Sequence, residues 1–389
     1  MTKGFFRAIG LMSGTSADGV SVAITEIKFS LDKPKLRLIS YKTYKYPKEL
    51  QDHILNLRRK SVNELCKINF YLGKVFADAV GRSIAHSGFK PSDIDVIGSH
   101  GQTICHAPKS NIPSTLQIGE PSVMAESTDI TTVADFRCRD ISAGGEGAPL
   151  IPYFDYVLFG GRKPIALQNI GGIANVTVVS RRKKDTLAFD TGPGNMLIDE
   201  AVRRLTKGRI SYDKNGRLAE KGRVNIKLLN NMRSYSYFHR SPPKSCGRED
   251  FGEEFFNKYC TSLLKKTPYD LITTLTYFTA ETIAFAYSKF AFRQFPTIRE
   301  VIVSGGGALN PVLMRHLRGL LHFINVKSIS EYGIHPLAKE PMAFALLAVE
   351  TLRGIPNNIK SATGAKSDTI LGKIIPGKNF SSLMRKIYK

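Results

Sequence analysis

Gly14-Thr15-Ser16-Ala17-Asp18-Gly19 packs hydroxyls, glycines and one acid into six consecutive positions, following the apolar run Ile9-Gly10-Leu11-Met12-Ser13. Glycines let backbone approach a phosphate closely, and N–H groups and hydroxyls can bond its oxygens. Asp18 suits a Mg²⁺ held through water, because magnesium takes one or two carboxylates plus substrate phosphates. No Gly-Lys-Ser/Thr follows, so this is not a Walker A loop. The turn leads to another strand rather than a helix, so it is not a dinucleotide fingerprint either. A plain polar hairpin turn fits the same residues.

Phe189-Asp190-Thr191-Gly192-Pro193-Gly194-Asn195 repeats the logic, but opens a helix. A helix N-terminus favours anions. Asp190 stands where a strand emerges, a place for a catalytic carboxylate, although Asp is also common as a turn cap. Ser304-Gly305-Gly306-Gly307, then Asn310-Pro311, follows a buried strand type. Such a Gly triplet offers a flat face for adenine or ribose, or simply a tight crossing without Cβ atoms. A further polar group suits the substrate side: His100-Gly101-Gln102-Thr103, Arg137 with Asp135, Arg139 and Asp140, and the loop Gly144-Gly145-Glu146-Gly147. Arg is able to grip a carboxylate bidentately. Glu340, at the start of the last clear helix, reads as a dipole partner or a site residue. There is no GxSxG elbow, no CxxC pair and no HExxH spacing. Five scattered cysteines suit a reducing compartment, so a cytoplasmic location is expected.

These loops need strands to deliver them. Residues 8–12, 20–27 and 36–41 read as strands, Val62–His86 as a long amphipathic helix, and 94–99 and 131–134 as further strands. The pattern restarts with Ile165–Ile170, 174–179 and 187–189. The helix Met196–Leu205, helices near 253–264 and 271–290, the strand Glu300–Ser304, a helix from Pro311 and a last one at 342–353 complete it. A strand–turn–strand set followed by helices and strands thus occurs twice. The expected architecture is α/β, with a nucleotide in a cleft between the halves. At about 150 residues per domain, 389 residues suit two domains. The expected limits are residues 1–134 for the first, with 361–389 packing back on it, and 135–360 for the second. Residues 378–389 are expected to be a loosely ordered end.

The chain has 56 Lys and Arg against 33 Asp and Glu, a net charge of +23. The cations are spread out rather than gathered into an arm, and no zinc-finger or RNP-like motif accompanies them. Nucleic acid is therefore not an expected partner, while an anionic small substrate gains from the field. No run approaches a membrane span, and Arg7 interrupts the N-terminal apolar stretch, so neither a membrane nor a signal peptide is expected.

In combination, IGLMSGTSADGV, SHGQT, TLQIGEP, ADFRCRDIS, GGEGAPL, QNIGGIANVT, FDTGPGN, KSCGRE, VSGGGALNP and KEPMAFALLA resemble the anhydro-N-acetylmuramic acid kinase family of the sugar kinase/Hsp70/actin superfamily. The resemblance runs from Ile9 to about Pro376. It implies a two-domain, actin-like (ribonuclease H-like) fold closing on ATP, Mg²⁺ and a 1,6-anhydro amino sugar, with a homodimer permitted. It implies hydrolytic opening of the anhydro ring coupled to phosphorylation of the 6-oxygen, in cell-wall recycling. By the same resemblance Asp190 is the general base. Gly14, Thr15, Ser16, Ala17, Asp18 and Gly19, with Val20 and Ser21 adjoining, form the first phosphate loop. Gly192, Gly194 and Asn195 serve the phosphates, and Gly305, Gly306, Gly307 and Asn310 lie near the adenosine. His100, Gln102, Thr103, Arg137, Gly145, Gly147 and Glu340 fall on the sugar side. The chain departs from the family pattern at Ser21 (commonly Asp), Glu146 (commonly Gln), Cys246 (usually Thr), and at Leu337 and Pro341 in the LAKEP stretch. These departures bear on sugar preference, with a neutral anhydrosugar of the levoglucosan type, or a catalytically silent relative, as the alternatives.

Overall fold

The computed structural model describes residues 4–29, 34–57 and 60–388. The chain divides into two compact units, Met1–Leu158 with Gly333–Lys389, and Phe159–Tyr332.

The first unit is built on a seven-stranded sheet in the order β12-β6-β4-β1-β2-β3, with β5 also paired to β4. Strands β1 (Phe5–Ser13), β2 (Gly19–Lys28) and β3 (Lys35–Lys45) form an antiparallel meander. Strand β4 (Val96–Ala107) runs parallel to β1, and β6 (Thr132–Ala134) parallel to β4. The short strands β5 (Ser114–Ile118) and β12 (Lys373–Ile375) add antiparallel edges. Alternation along a strand separates two faces. Ile9, Leu11, Val20, Val22 and Ile24 point to the face covered by the helix Val62–His86, meeting its Leu72, Phe76 and Val80. The opposite face takes the helix Lys339–Leu352, in which every residue except Glu340 is buried.

That second contact depends on two glycines. A Cβ on Gly10 would lie 1.7 Å from the carbonyl oxygen of Pro341, and one on Gly98 would lie 2.1 Å from that of Phe344. The helix backbone therefore lies directly on the sheet. Gly10→Ala forces the helix off β1 and is expected to cost at least the ~1–3 kcal/mol typical of overpacking. A chemical denaturation curve with a lower midpoint and unchanged slope checks this; an unchanged midpoint would refute the close approach.

The second unit repeats the topology. Strands β7 (Ile165–Ile170), β8 (Ile173–Val179) and β9 (Leu187–Pro193) form the meander. Strand β10 (Glu300–Ser304) is parallel to β7 and β11 (Asn325–Ser328) parallel to β10, giving the order β11-β10-β7-β8-β9. In both units three antiparallel strands are followed by a fourth parallel to the first and a later strand parallel to the fourth, with β5 of the first unit intervening as an antiparallel partner of β4. The duplication expected from element order thus holds in hydrogen bonding, and the fold is the two-domain actin-like one.

The boundaries differ from those expected. Residues 135–158 and 333–360 group with the first unit. The helix Lys339–Leu352 belongs to the β1–β4 face, and Lys339 is buried against Asp155 with Nζ and Oδ1 2.8 Å apart. The helical stretch expected near 253–264 breaks at Cys260 into Glu253–Tyr259 and Thr261–Lys266. The C-terminus is not loose: Phe380–Tyr388 is a helix. Asn379 before it accepts the Thr131 N–H at 2.8 Å and donates to the Asp95 carbonyl at 2.8 Å, and Lys386 pairs with Asp95 at 2.7 Å. Among the described residues no helix is long and apolar enough to cross a membrane.

Candidate active site

In the first unit the turn between β1 and β2 closes through the Ala17 N–H, which donates to the Gly14 carbonyl at 3.0 Å, with Ala17 at φ +48°. Buried Ser13 at the end of β1 bonds three groups: its Oγ donates to the Gly19 carbonyl at 2.9 Å, lies 2.7 Å from Gln102 Oε1 and 2.9 Å from the Tyr46 hydroxyl. Gln102 Nε2 in turn donates to the Gly14 carbonyl at 3.1 Å. Gln102 is thus a brace for the loop from β4. Thr15, Ser16 and Asp18 remain exposed, and the Ser16 hydroxyl donates to Asp18 Oδ1 at 3.0 Å. Two expected loop residues are different in kind. Ala17 and Val20 bury their side chains in the core, so only their backbones face outward. Ser21 lies within β2 and shares hydrogen bonds with Thr43 (2.8 Å) and Tyr41 (3.2 Å), away from the turn.

The polar group from β4 and the segment after β6 does come together, but not as an open grip. Arg137 donates Nε–H and an Nη2–H to Nε2 of His100 at 3.0 and 2.9 Å, and an Nη1–H to the Gly147 carbonyl at 2.7 Å. His100 is buried; its Nδ1–H bonds the Gly101 carbonyl at 2.8 Å, which leaves Nε2 as the acceptor. Burial first, and the facing guanidinium second, push His100 down to about 3. His100 is therefore neutral and holds Arg137 in place, rather than moving protons near neutral pH. Burial also lowers Arg137 to about 10, with the Glu340 and Asp140 carboxylates opposing that shift.

The loop with Gly145 and Gly147 is organised by Asp140, which the sequence placed in the substrate-side polar group and the structure buries beneath the loop. This fully buried carboxylate accepts the Gly147 N–H at 2.8 Å, the Thr363 hydroxyl at 2.8 Å and the Asn358 amide at 3.1 Å. Gly145 sits so close to it that a Cβ would be 2.2 Å from Asp140 Oδ2. Glu146 points outward to Lys109 at 3.1 Å, with both side chains largely exposed. Thr103 is half-buried, 3.3 Å from Gln117 Nε2. The Glu340 carboxyl, half-buried at the start of its helix, has no hydrogen-bond donor among the described residues. Burial raises its pKa, against the pull of Lys339 and Arg137. That leaves it a free acceptor for a ligand hydroxyl.

In the second unit Asp190 lies on β9, the edge strand of the sheet. An extended segment covers that free edge. The Asp190 N–H donates to the Lys244 carbonyl at 3.0 Å, and its carbonyl accepts the Tyr237 hydroxyl at 2.7 Å. The Cys246 N–H donates to Asp190 Oδ2 at 3.0 Å. Backbone and carboxylate are clamped together, leaving Oδ1 unbonded. Burial pushes the carboxyl up to about 6; the Cys246 N–H and the Lys244 ammonium oppose this, and Asp250 and Glu249 reinforce it. Lys244 packs over the rings of Tyr237 and Phe290, 4.6 and 4.9 Å from their centroids, which anchors the segment. Its own pKa falls to about 8, chiefly through burial.

The helix after Asp190 is not a free anion site. The N–H groups of Asn195 and Gly194 donate to the carbonyls of Gly171 and Gly172 at 2.7 and 2.9 Å, and Met196 to Gly172 at 3.1 Å. A Cβ on Gly194 would lie 2.3 Å from the Gly171 carbonyl. Of the expected phosphate group, Asn195 keeps a polar side chain, whose amide donates to the Ile170 carbonyl at 3.3 Å. Gly192 is buried against Phe238. After β10, Gly305 takes φ +83° and Gly307 packs on Ile170, while Gly306 is the partly exposed one. Asn310 caps its helix, accepting the N–H groups of Val312 and Leu313 at 3.1 and 3.2 Å.

The family model for anhydro-N-acetylmuramic acid kinase matches residues 6–377. The chain is 44% identical over 382 residues to the anhydro-N-acetylmuramic acid kinase of Caldanaerobacter subterraneus subsp. tengcongensis, covering 94% of this chain and 96% of that one. The chain belongs to the anhydro-N-acetylmuramic acid kinase family. Family members with that name from Bacillus cereus (43% over 378 residues, 94% and 98% of the two chains) and Clostridioides difficile (42% over 379 residues, 95% and 98%) are similar.

Within this family member the repeated topology contains a second Gly hairpin to which sequence reasoning gave no role. The β7–β8 turn, Gly171-Gly172, occupies in its sheet the place that the Gly14–Gly19 turn holds between β1 and β2. It lacks an acid, so it carried no chemical signal. Its signal was positional: a Gly turn between the first two strands of each repeat.

Proposed function

We propose that this chain opens 1,6-anhydro-N-acetylmuramic acid with water and transfers the γ-phosphoryl group of ATP to the freed 6-oxygen. The product is N-acetylmuramic acid 6-phosphate, formed in the cytoplasm during cell-wall recycling. The clamp on Asp190 is the observation that carries this reading. A carboxyl at about 6 with one unbonded oxygen is ionised at neutral pH, yet basic enough to take a proton. It removes the proton from a water whose oxygen bonds to the anomeric carbon. The bond from that carbon to the 6-oxygen breaks, and its electron pair stays on oxygen. That oxygen bonds to the γ-phosphorus as ADP leaves. An ether oxygen is a poor acceptor until its C–O bond begins to break, so the base activates both halves of the reaction. Glu340 accepts a sugar hydroxyl, and the Arg137–His100 pair holds the Gly147 loop beside it.

The Gly14–Gly19 turn takes the phosphates of the nucleotide. Among the described residues no group of three or more metal-ligating side chains exists. This fits Mg²⁺ held mainly by phosphate and water, with exposed Asp18 as its one carboxylate. Bound there, Mg²⁺ neutralises charge on the transferring phosphate.

The test is ADP release with Mg-ATP and 1,6-anhydro-N-acetylmuramic acid, levoglucosan or no sugar. Turnover with the muramic sugar alone is expected. Turnover with levoglucosan instead would move the assignment to a neutral anhydrosugar, and none with either would overturn the kinase reading.

A further inference from the structure

Lys339 and Asp155 are charged side chains only 3% and 1% exposed. The Lys339 Nζ lies 2.8 Å from Oδ1 of Asp155 and donates to its Oδ2 at 3.0 Å. Stability alone does not account for such a pair. The cost of taking two charges out of water offsets their attraction, and apolar residues of similar volume often hold a fold as well. The place of Lys339 is also against it. It opens the helix Lys339–Leu352, where a cation opposes the helix dipole. Asp155 returns the negative charge that this end favours.

The pair joins two elements of one unit that frame the sugar side. Asp155 lies in the helix Ile151–Phe159, which directly follows the loop with Gly145 and Gly147. Lys339 immediately precedes Glu340, the one residue of its helix that is not buried. One turn on, Phe344 packs on the His100 ring with centroids 4.8 Å apart, and His100 holds Arg137. Residues four apart share a helix face, so Glu340 is on the side of its helix that meets the Arg137–His100 pair. The charged groups that act on its carboxyl are Lys339 and Arg137.

We propose that the Asp155–Lys339 pair is a positioning device for the sugar: Asp155 engages the Lys339 ammonium, so that the adjacent Glu340 carboxylate stays open to a sugar hydroxyl. The inference rests on the sugar reading above and adds two residues which that reading leaves without a role. With its ammonium spent on Asp155, Lys339 acts on Glu340 through space alone, opposing the burial that raises the Glu340 pKa. Without Asp155 the buried ammonium turns to the carboxylate beside it and fills the acceptor that the sugar needs.

Steady-state turnover with Mg-ATP and 1,6-anhydro-N-acetylmuramic acid, measured as a function of pH, tests this. Asp155→Asn is expected to raise the sugar KM about tenfold, as loss of a hydrogen bond to a charged group implies, with the ATP KM unchanged. Lys339→Met removes the cation that lowers the Glu340 pKa, so its sugar KM should climb at a higher pH than that of the wild type as pH falls. The double variant Asp155→Leu/Lys339→Met leaves no buried charge unpaired. It should melt no lower than the wild type and still show the weakened, pH-dependent sugar KM. A double variant with the wild-type sugar KM and pH profile, or a rise in both KM values alike without a changed profile, makes the pair merely structural and overturns the proposal. Glu340→Gln separates the two readings: a sugar KM unchanged in that variant brings down the sugar-side role of Glu340, and the proposal with it.

Discussion

Asp190→Asn is expected to remove at least a hundredfold of turnover while making the protein more stable near neutral pH. The loss follows from removing a general base. The gain follows from the same burial that tunes the base. In the folded chain the carboxyl is held at about 6, above its ordinary 3.8, so folding favours the protonated form. Below about pH 4 both folded and unfolded states are protonated and nothing is lost. Between about pH 4 and 6 the unfolded chain gives up the proton while the folded chain still holds it, so stability falls, and the loss levels off above 6. The amide carries no charge and can still accept the Cys246 N–H. The variant should therefore melt higher at pH 8, by a difference on the order of 1–3 kcal/mol, and gain little at pH 4. The wild-type kcat/KM should fall on the acid side with a midpoint near 6. A variant that melts lower at pH 8 would mean that the clamp prefers the charged form.

Asp140→Ala should damage the protein most without touching the reacting atoms. Its carboxylate is fully buried and satisfies the Gly147 N–H, the Thr363 hydroxyl and the Asn358 amide at once. Removing it strands three buried donors, each costing about 1–3 kcal/mol in part. The net loss expected is about 3–5 kcal/mol, as for breaking a buried charged network. Because the Gly145–Gly147 loop closes on this group, the KM for the sugar should rise more than kcat falls. Glu146→Gln, two residues from Gly144 on the same loop but exposed and paired only with Lys109, should change stability hardly at all. Thermal melts of the two variants side by side separate a loop held from below from one held by its surface charge. Equal, small effects would remove Asp140 from that role.

The motifs legible in the sequence were those whose residues are neighbours in the chain. The Ser13–Gly19 turn, the Asp190 strand end and the Gly triplet each declare strand, turn and chemistry within about ten positions. Strand alternation then placed them, and the order of elements disclosed the duplication. What could not be read was pairing at a distance. Arg137 looked available for a substrate carboxylate, but His100, 37 positions earlier, takes two of its N–H groups. The clamp on Asp190 comes from residues 237–246, which carry no strand pattern because they add only a few hydrogen bonds to one edge. The unit boundary was misplaced for the same reason. A helix near position 340 gives no local sign that its backbone must lie on Gly10 and Gly98. Asn379 and Lys386 likewise gave no sign of their partners at Thr131 and Asp95.

That helix sets an order of events during synthesis. The second unit is one continuous stretch, Phe159–Tyr332, inserted between the two pieces of the first. It leaves the ribosome whole, and domains fold as units as they emerge. The first unit begins earlier but finishes last. Its meander and the helix Val62–His86 can associate at once, yet the sheet face bearing Gly10 and Gly98 has no cover until Lys339–Leu352 has been made. For the time it takes to translate the whole inserted unit, the nascent chain presents an apolar sheet face to its surroundings. Chaperone capture and misassociation are therefore expected to concentrate on the N-terminal half of this enzyme, although its own strands are the first to exist.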